Sequence, residues 1–178
     1  LNKWRLHVLM LRPSVICIVD DLEAPEPSDY QWLLHSDYQL GLDEKGQQFT
    51  EQRDGLVMTA RMFSPIPLEF SQSNEWPVDP SEGFPEELEN EPEKVWHFKA
   101  GTRGRAKRFR MATIMTVERP GETVNARIKD AGNGLITLEY DAPGAQTTVN
   151  INLDADAVHI LELESRLSDG KVQTLAKP

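Results

Sequence analysis

The sequence predicts an all-β fold, an antiparallel β-sandwich (supersandwich-like) of about ten to twelve strands. Three observations carry that reading. Apolar and polar residues alternate with period two along most of the chain, as Val124, Ala126 and Ile128 do against Asn125, Arg127 and Lys129. Turn signals such as Asn133-Gly134, Pro143-Gly144 and Asp169-Gly170 separate the alternating runs. No stretch carries a sustained helical period, and no unit repeats at a fixed spacing. Alternating faces favour antiparallel pairing.

Taken in order, Trp4 to Leu11 is a strand with apolar residues on both faces, Leu6, Val8 and Met10 against Leu9 and Leu11, which predicts a central strand. Pro13 ends it, and Val15 to Asp20 is the next strand. Tyr30 to Tyr38 follows, with Tyr30, Trp32 and Leu34 on one face. A short hairpin over Gly41 to Asp54 turns at Lys45-Gly46, and Leu56, Met58, Ala60 and Met62 share a face of the strand after it. Leu68-Glu69-Phe70 reads as its brief continuation. Residues 71–93 form a long acidic excursion rich in Pro, Glu, Ser and Asn, with no core of its own.

Strand structure resumes at Val95 to Lys99, and a basic turn from Gly101 to Arg105 leads into a strand lined by Phe109, Met111, Thr113 and Met115. The last third gives strands at Val124 to Lys129, Leu135 to Tyr140, Thr147 to Leu153, Val158 to Leu163 and Lys171 to Leu175. For Val158 to Leu167 a short helix is the alternative, and the strand is favoured.

The 178 residues, 39% of them hydrophobic, suit one sandwich domain over residues 1–178 with a core that needs no staples. The chain starts at Leu1 and enters a strand within three residues, which favours a C-terminal fragment of a larger protein. The one cysteine, Cys17, sits in the most apolar run and reads as a buried thiol. No transmembrane segment is visible.

The formal net charge of −10 argues against nucleic-acid binding, since phosphate contacts require local Lys and Arg. That charge is uneven: Glu75 to Glu93 holds eight acids and no base, Lys99 to Arg110 six bases and no acid.

Catalytic motifs are absent. The histidines His7, His35, His97 and His159 stand singly, so metal ligation is not expected, and no cofactor motif occurs. Asp20-Asp21 could form a carboxylate pair for acid and base work. The favoured reading gives them to a turn and to an Arg partner. Trp32, Trp96 and His97 form the best aromatic set for stacking on sugar faces, with His35 nearby, against a competing role in core packing. Arg103 and Arg105 lead a basic run that could meet a carboxylate polymer, against the bland reading of a solvated hairpin tip.

The series Arg5-x-x-x-Leu9-Met10-Leu11-Arg12-Pro13, Val19-Asp20-Asp21-Leu22 and Gln31-Trp32-Leu33-Leu34-His35 resembles the late β-domain of heparinase II/III-like polysaccharide lyases. Phe63-Ser64-Pro65, Leu68 to Gln72, Trp96-His97-Phe98 and Ala112 to Val117 extend the resemblance over roughly residues 4 to 120. It implies a parent that joins a helical toroid to a β-sandwich and cleaves uronic-acid-containing polysaccharides by β-elimination, outside the cell or in the periplasm. The family's catalytic residues lie on the toroid and an early sandwich strand, so none carries over to this sequence.

The expectation is therefore a non-catalytic C-terminal sandwich whose partner is the missing N-terminal toroid and whose candidate sugar contacts are Trp32, His35, Trp96, His97, Arg103 and Arg105. The alternatives are a free-standing carbohydrate-binding module, or a structural domain that binds a partner through the acidic loop.

Overall fold

The computed structural model describes residues 1–75 and 95–175. Among these residues the chain is all strand and turn, with no helix. The strands are β1 (Lys3–Leu11), β2 (Val15–Ser28), β3 (Gln31–Ser36), β4 (Gly41–Asp43), β5 (Gln48–Arg53), β6 (Leu56–Phe63) and β7 (Leu68–Ser73). After the acidic segment come β8 (Trp96–Thr102), β9 (Ala106–Glu118), β10 (Ala126–Asp130), β11 (Leu135–Ala142), β12 (Ala145–Asn152), β13 (Leu161–Leu167) and β14 (Val172–Leu175). The described strands number fourteen because the Leu42 hairpin contributes two short ones and Leu68 opens a strand of its own.

Three antiparallel sheets form: a six-stranded sheet in the order β1-β2-β9-β6-β5-β4, a five-stranded meander β10 to β14, and a three-stranded sheet β3-β8-β7. The six-stranded sheet is the middle layer. Val15, Cys17 and Val19 of β2 and Ala112 and Ile114 of β9 project from one face into a core with Ile136, Leu138, Val149 and Ile151 of the meander. From the opposite face, Phe109 and Met111 of β9 and Ala60 and Met62 of β6 meet Leu68, Phe70, Phe98 and Ala100 of the three-stranded sheet. Period-two alternation thus feeds two cores from one strand, which is why β9 is apolar at nearly every position. Each fully buried Leu or Ile here contributes roughly 2–3 kcal/mol.

The meander turns follow their chemistry. Ala142 pairs with Ala145, leaving Pro143-Gly144 as a two-residue turn, and Gly144 takes φ +82°, a conformation that a Cβ would resist. Two glutamine amides join the layers. Gln72 on β7 accepts from the Leu40 N–H at 3.0 Å and donates to the Leu40 carbonyl at 2.8 Å. Gln47 does the same for Leu68, at 3.1 and 3.2 Å.

Several sequence expectations change. Strand β1 is an edge, not a central strand: it pairs only with β2, and its second apolar face, Trp4, Leu6, Val8 and Met10, lies exposed at 52 to 74%. Apolar residues on both faces indicate what covers a strand above and below, and carry no information about its lateral neighbours. Strand β2 does not stop at Asp20 but runs to Ser28, with an irregularity in its pairing to β9 between Glu23 and Ser28 where Pro25 and Pro27 offer no N–H. Strand β7 is not a continuation of β6; it belongs to another sheet. Strand β13 begins at Leu161, three residues later than expected, and neither Val158–Ile160 nor the following residues form a helix. Of the acidic excursion, residues 71–73 belong to β7 and 76–93 lie outside the described residues.

Candidate functional site

The three-stranded sheet is narrower than the sheet it covers. It seats over β9, β6 and β5 and ends at β3, so the β1–β2 corner of the six-stranded sheet stays open on that side. A cleft of about 510 Å³ forms at this step. Its floor follows from the register: Trp4 of β1 sits opposite Leu22 of β2, Leu22 opposite Phe109 of β9, and Asp20 opposite Met111. Its other wall is Tyr30 to Leu33 with Ala100 and Thr102 of β8 and Leu68 of β7.

Asp20 is the one acid in a row that otherwise reads Ile16, Ile18, Leu22. Its Oδ2 is buried, and the carboxyl has no hydrogen-bond or ion-pair partner among the described residues. Burial in these apolar surroundings pushes it up to about 6.

Asp21, one residue on, faces the other core and differs in every respect. Arg110 Nε donates to its Oδ1 at 3.1 Å, and Lys3 pairs with its Oδ2. Burial pushes the Asp21 carboxyl up, but the hydrogen bonds and charges of Lys3 and Arg110 outweigh it and hold the group below the usual carboxylate range. The same guanidinium ties down the 154–157 turn through the carbonyls of Asp154 and Ala157, the latter at 3.0 Å. Strand alternation therefore separates Asp20 from Asp21, and the two carboxylates do not form an acid and base pair.

The six sequence candidates do not converge. Trp32 lines the cleft, half-buried, with its ring 6.1 Å from Phe49 and 6.3 Å from Phe98. Trp96 lies on the same face of the three-stranded sheet, but four residues along β8 from Ala100, which faces Trp32. At ~3.3 Å per residue that is about 13 Å away.

His97 and His35 pair directly across β8 and β3, ring centroids 4.5 Å apart, on the opposite face. The expected platform of Trp32, Trp96 and His97 is therefore divided between two faces. Trp4 and Asp20 were the cleft residues to find, and the signal was available: an acid in phase with an apolar row.

The basic run is knitted to acids. Arg103 pairs with Glu44, Arg105 with Asp29 at 3.7 Å, Lys107 with Glu26 at 3.7 Å, and Arg108 with Glu23 at 3.6 Å and Asp156 at 2.6 Å. These partners sit mostly on β2 and the turn after it, because β9 pairs with β2. Among the described residues no three His, Cys, Asp or Glu side chains converge as a metal site, and no helix is long and apolar enough to cross a membrane. No protein-family model matches the chain, and no curated protein matches it.

Proposed function

We propose that this chain is a non-catalytic β-domain of a heparinase II/III-like polysaccharide lyase, bracing the helical toroid that carries the chemistry. The motif series through Gln31-Trp32-Leu33-Leu34-His35 supports the family. The observation that carries a bracing role is the bare face of β1: Trp4, Leu6, Val8 and Met10 stand in a row on an edge strand that pairs only with β2. Contiguous apolar rows of this kind mark surfaces that another protein body covers. Free strand edges are themselves hazards that folds ordinarily blunt.

The test is incubation with uronate polymers, followed by the ultraviolet absorbance of unsaturated uronate. The chain alone should release none, and a fusion placing it behind a toroid of this family should restore turnover. Product from the isolated chain would overturn the proposal.

A carbohydrate-binding module is the second reading, favoured by the two tryptophans, Trp4 and Trp32, that line one cleft. In that case Trp32→Ala should abolish retention on an immobilised polysaccharide while Trp96→Ala, outside the cleft, leaves it intact.

A further inference from the structure

The cleft presents a combination that neither bracing nor sugar stacking uses: a half-buried carboxyl with no partner among the described residues, set among apolar and aromatic side chains. We propose that it is a binding site for a small organic cation, a drug-sized apolar or aromatic body carrying one ammonium group, with the ammonium on Asp20 and the body against Trp4 and Trp32. The site shares Trp4 with the bare β1 face, and the inference concerns the chain with that face uncovered.

Size comes first. About 510 Å³ falls within the range of pockets that enclose drug-sized molecules. Chemistry narrows the ligand further. Much of the polar lining is already committed within the protein: the Ser28 hydroxyl donates to the Glu26 carbonyl at 2.9 Å, and the Tyr30 hydroxyl to the Ala106 and Lys107 carbonyls at 3.1 Å each. Thr102 Oγ1 accepts from the Tyr30 N–H at 3.0 Å, and Asp29 at the rim pairs with Arg105 at 3.7 Å.

A sugar ring brings several hydroxyls, and over Leu22, Phe109 and Met111 the cleft offers few uncommitted partners for them beyond Asp20 and Gln31. An ammonium group has three N–H donors: Asp20 accepts one as a charge-assisted bond, an indole face adds an electrostatic attraction, and the open side of the cleft leaves the others to water.

Charge supports the same choice. Asp20 is flanked on its own face by Leu6 of β1 and Met111 of β9, neither of which carries charge; Leu1, which bears an amino group, and Asp29, paired with Arg105, also line the cleft. Lys3 and Arg110 are engaged with Asp21 on the opposite face, where His7 of β1 also lies. The ligand would supply the missing counter-charge. A net charge of −10 also enriches cations around the molecule.

Calorimetric titration of the full chain with tryptamine, and with tryptophol as its neutral counterpart, tests the proposal. At about pH 7.5 tryptamine should bind at least about tenfold more tightly than tryptophol, the strength expected of one charge-assisted hydrogen bond. Asp20→Asn, which keeps shape and volume, should erase that preference without weakening tryptophol. Trp4→Ala, a change at an exposed side chain, should weaken both probes. Lowering the pH through about 6, where Asp20 takes up its proton, should weaken tryptamine alone. Equal affinities, no tryptamine binding at millimolar concentration, or a preference that survives Asp20→Asn would overturn it. None of these outcomes bears on uronate cleavage.

Discussion

Replacing Asp20 by Asn should stabilise the fold, and the gain should grow with pH. Burial under the cleft moves this carboxyl from its ordinary 3.8 to about 6, so ionising it is harder in the native chain than in the unfolded one. At about 1.36 kcal/mol per tenfold change in acidity, that displacement corresponds to ~3 kcal/mol. Asp20 is only half-buried, and solvent screening reduces the figure to about 1–2 kcal/mol.

The sign follows from linkage. A carboxyl whose native pKa is raised holds its proton more tightly when folded, so its contribution is fully present below pH 3.8 and is lost as pH rises through about 6. Urea unfolding of the two proteins across this window is the assay. Midpoints should nearly coincide near the low end and separate above pH 6, by about 0.5–1 M for a slope of ~2 kcal/mol per molar urea. Comparing variant with parent cancels the other titrating groups, including His7, which burial holds below its usual range. A separation independent of pH, or a variant less stable than its parent above pH 6, would refute the reasoning.

Three further outcomes follow from the cores. Arg110→Met strands the Asp21 carboxylate with Lys3 alone and frees two turn carbonyls; it should cost about 3–5 kcal/mol and lower the melting temperature by ~6–20 °C in calorimetry, and a drop under about 2 °C would refute the buried pair. Thr113→Val should be neutral or stabilising by about 1 kcal/mol in urea unfolding, because the buried Thr113 hydroxyl has no hydrogen-bond partner among the described residues. A clear loss of stability would mean that the hydroxyl is satisfied. Cys17, fully buried and with its thiol pushed up to about 12 by burial, should react with a disulfide reagent only as fast as the protein unfolds, whereas stoichiometric reaction in native buffer would take it out of the core.

The sequence by itself determined the strands. Period-two alternation, the Pro-Gly and Asn-Gly turns and the absence of a helical period are local properties, set by which side of a pleat each residue occupies and where the backbone can reverse. They located β11, β12 and one face of β9 and placed Cys17 in a core. They could also have marked Asp20 as an acid in phase with Ile16, Ile18 and Leu22. What they could not supply is lateral order.

Whether β1 lies at the centre or the edge of its sheet depends on which strand forms hydrogen bonds with its free side, and side-chain alternation is blind to backbone pairing. Only the tertiary structure showed that a three-stranded sheet covers part of a six-stranded one, leaving Trp4, Leu6, Val8 and Met10 bare. Strand alternation already set Trp96 and His97 on opposite faces, but only the tertiary structure could show that Trp96, on Trp32's face, lies about 13 Å along β8 from the cleft. The cleft exists because two sheets of unequal width share one core, a fact about packing between segments distant in sequence.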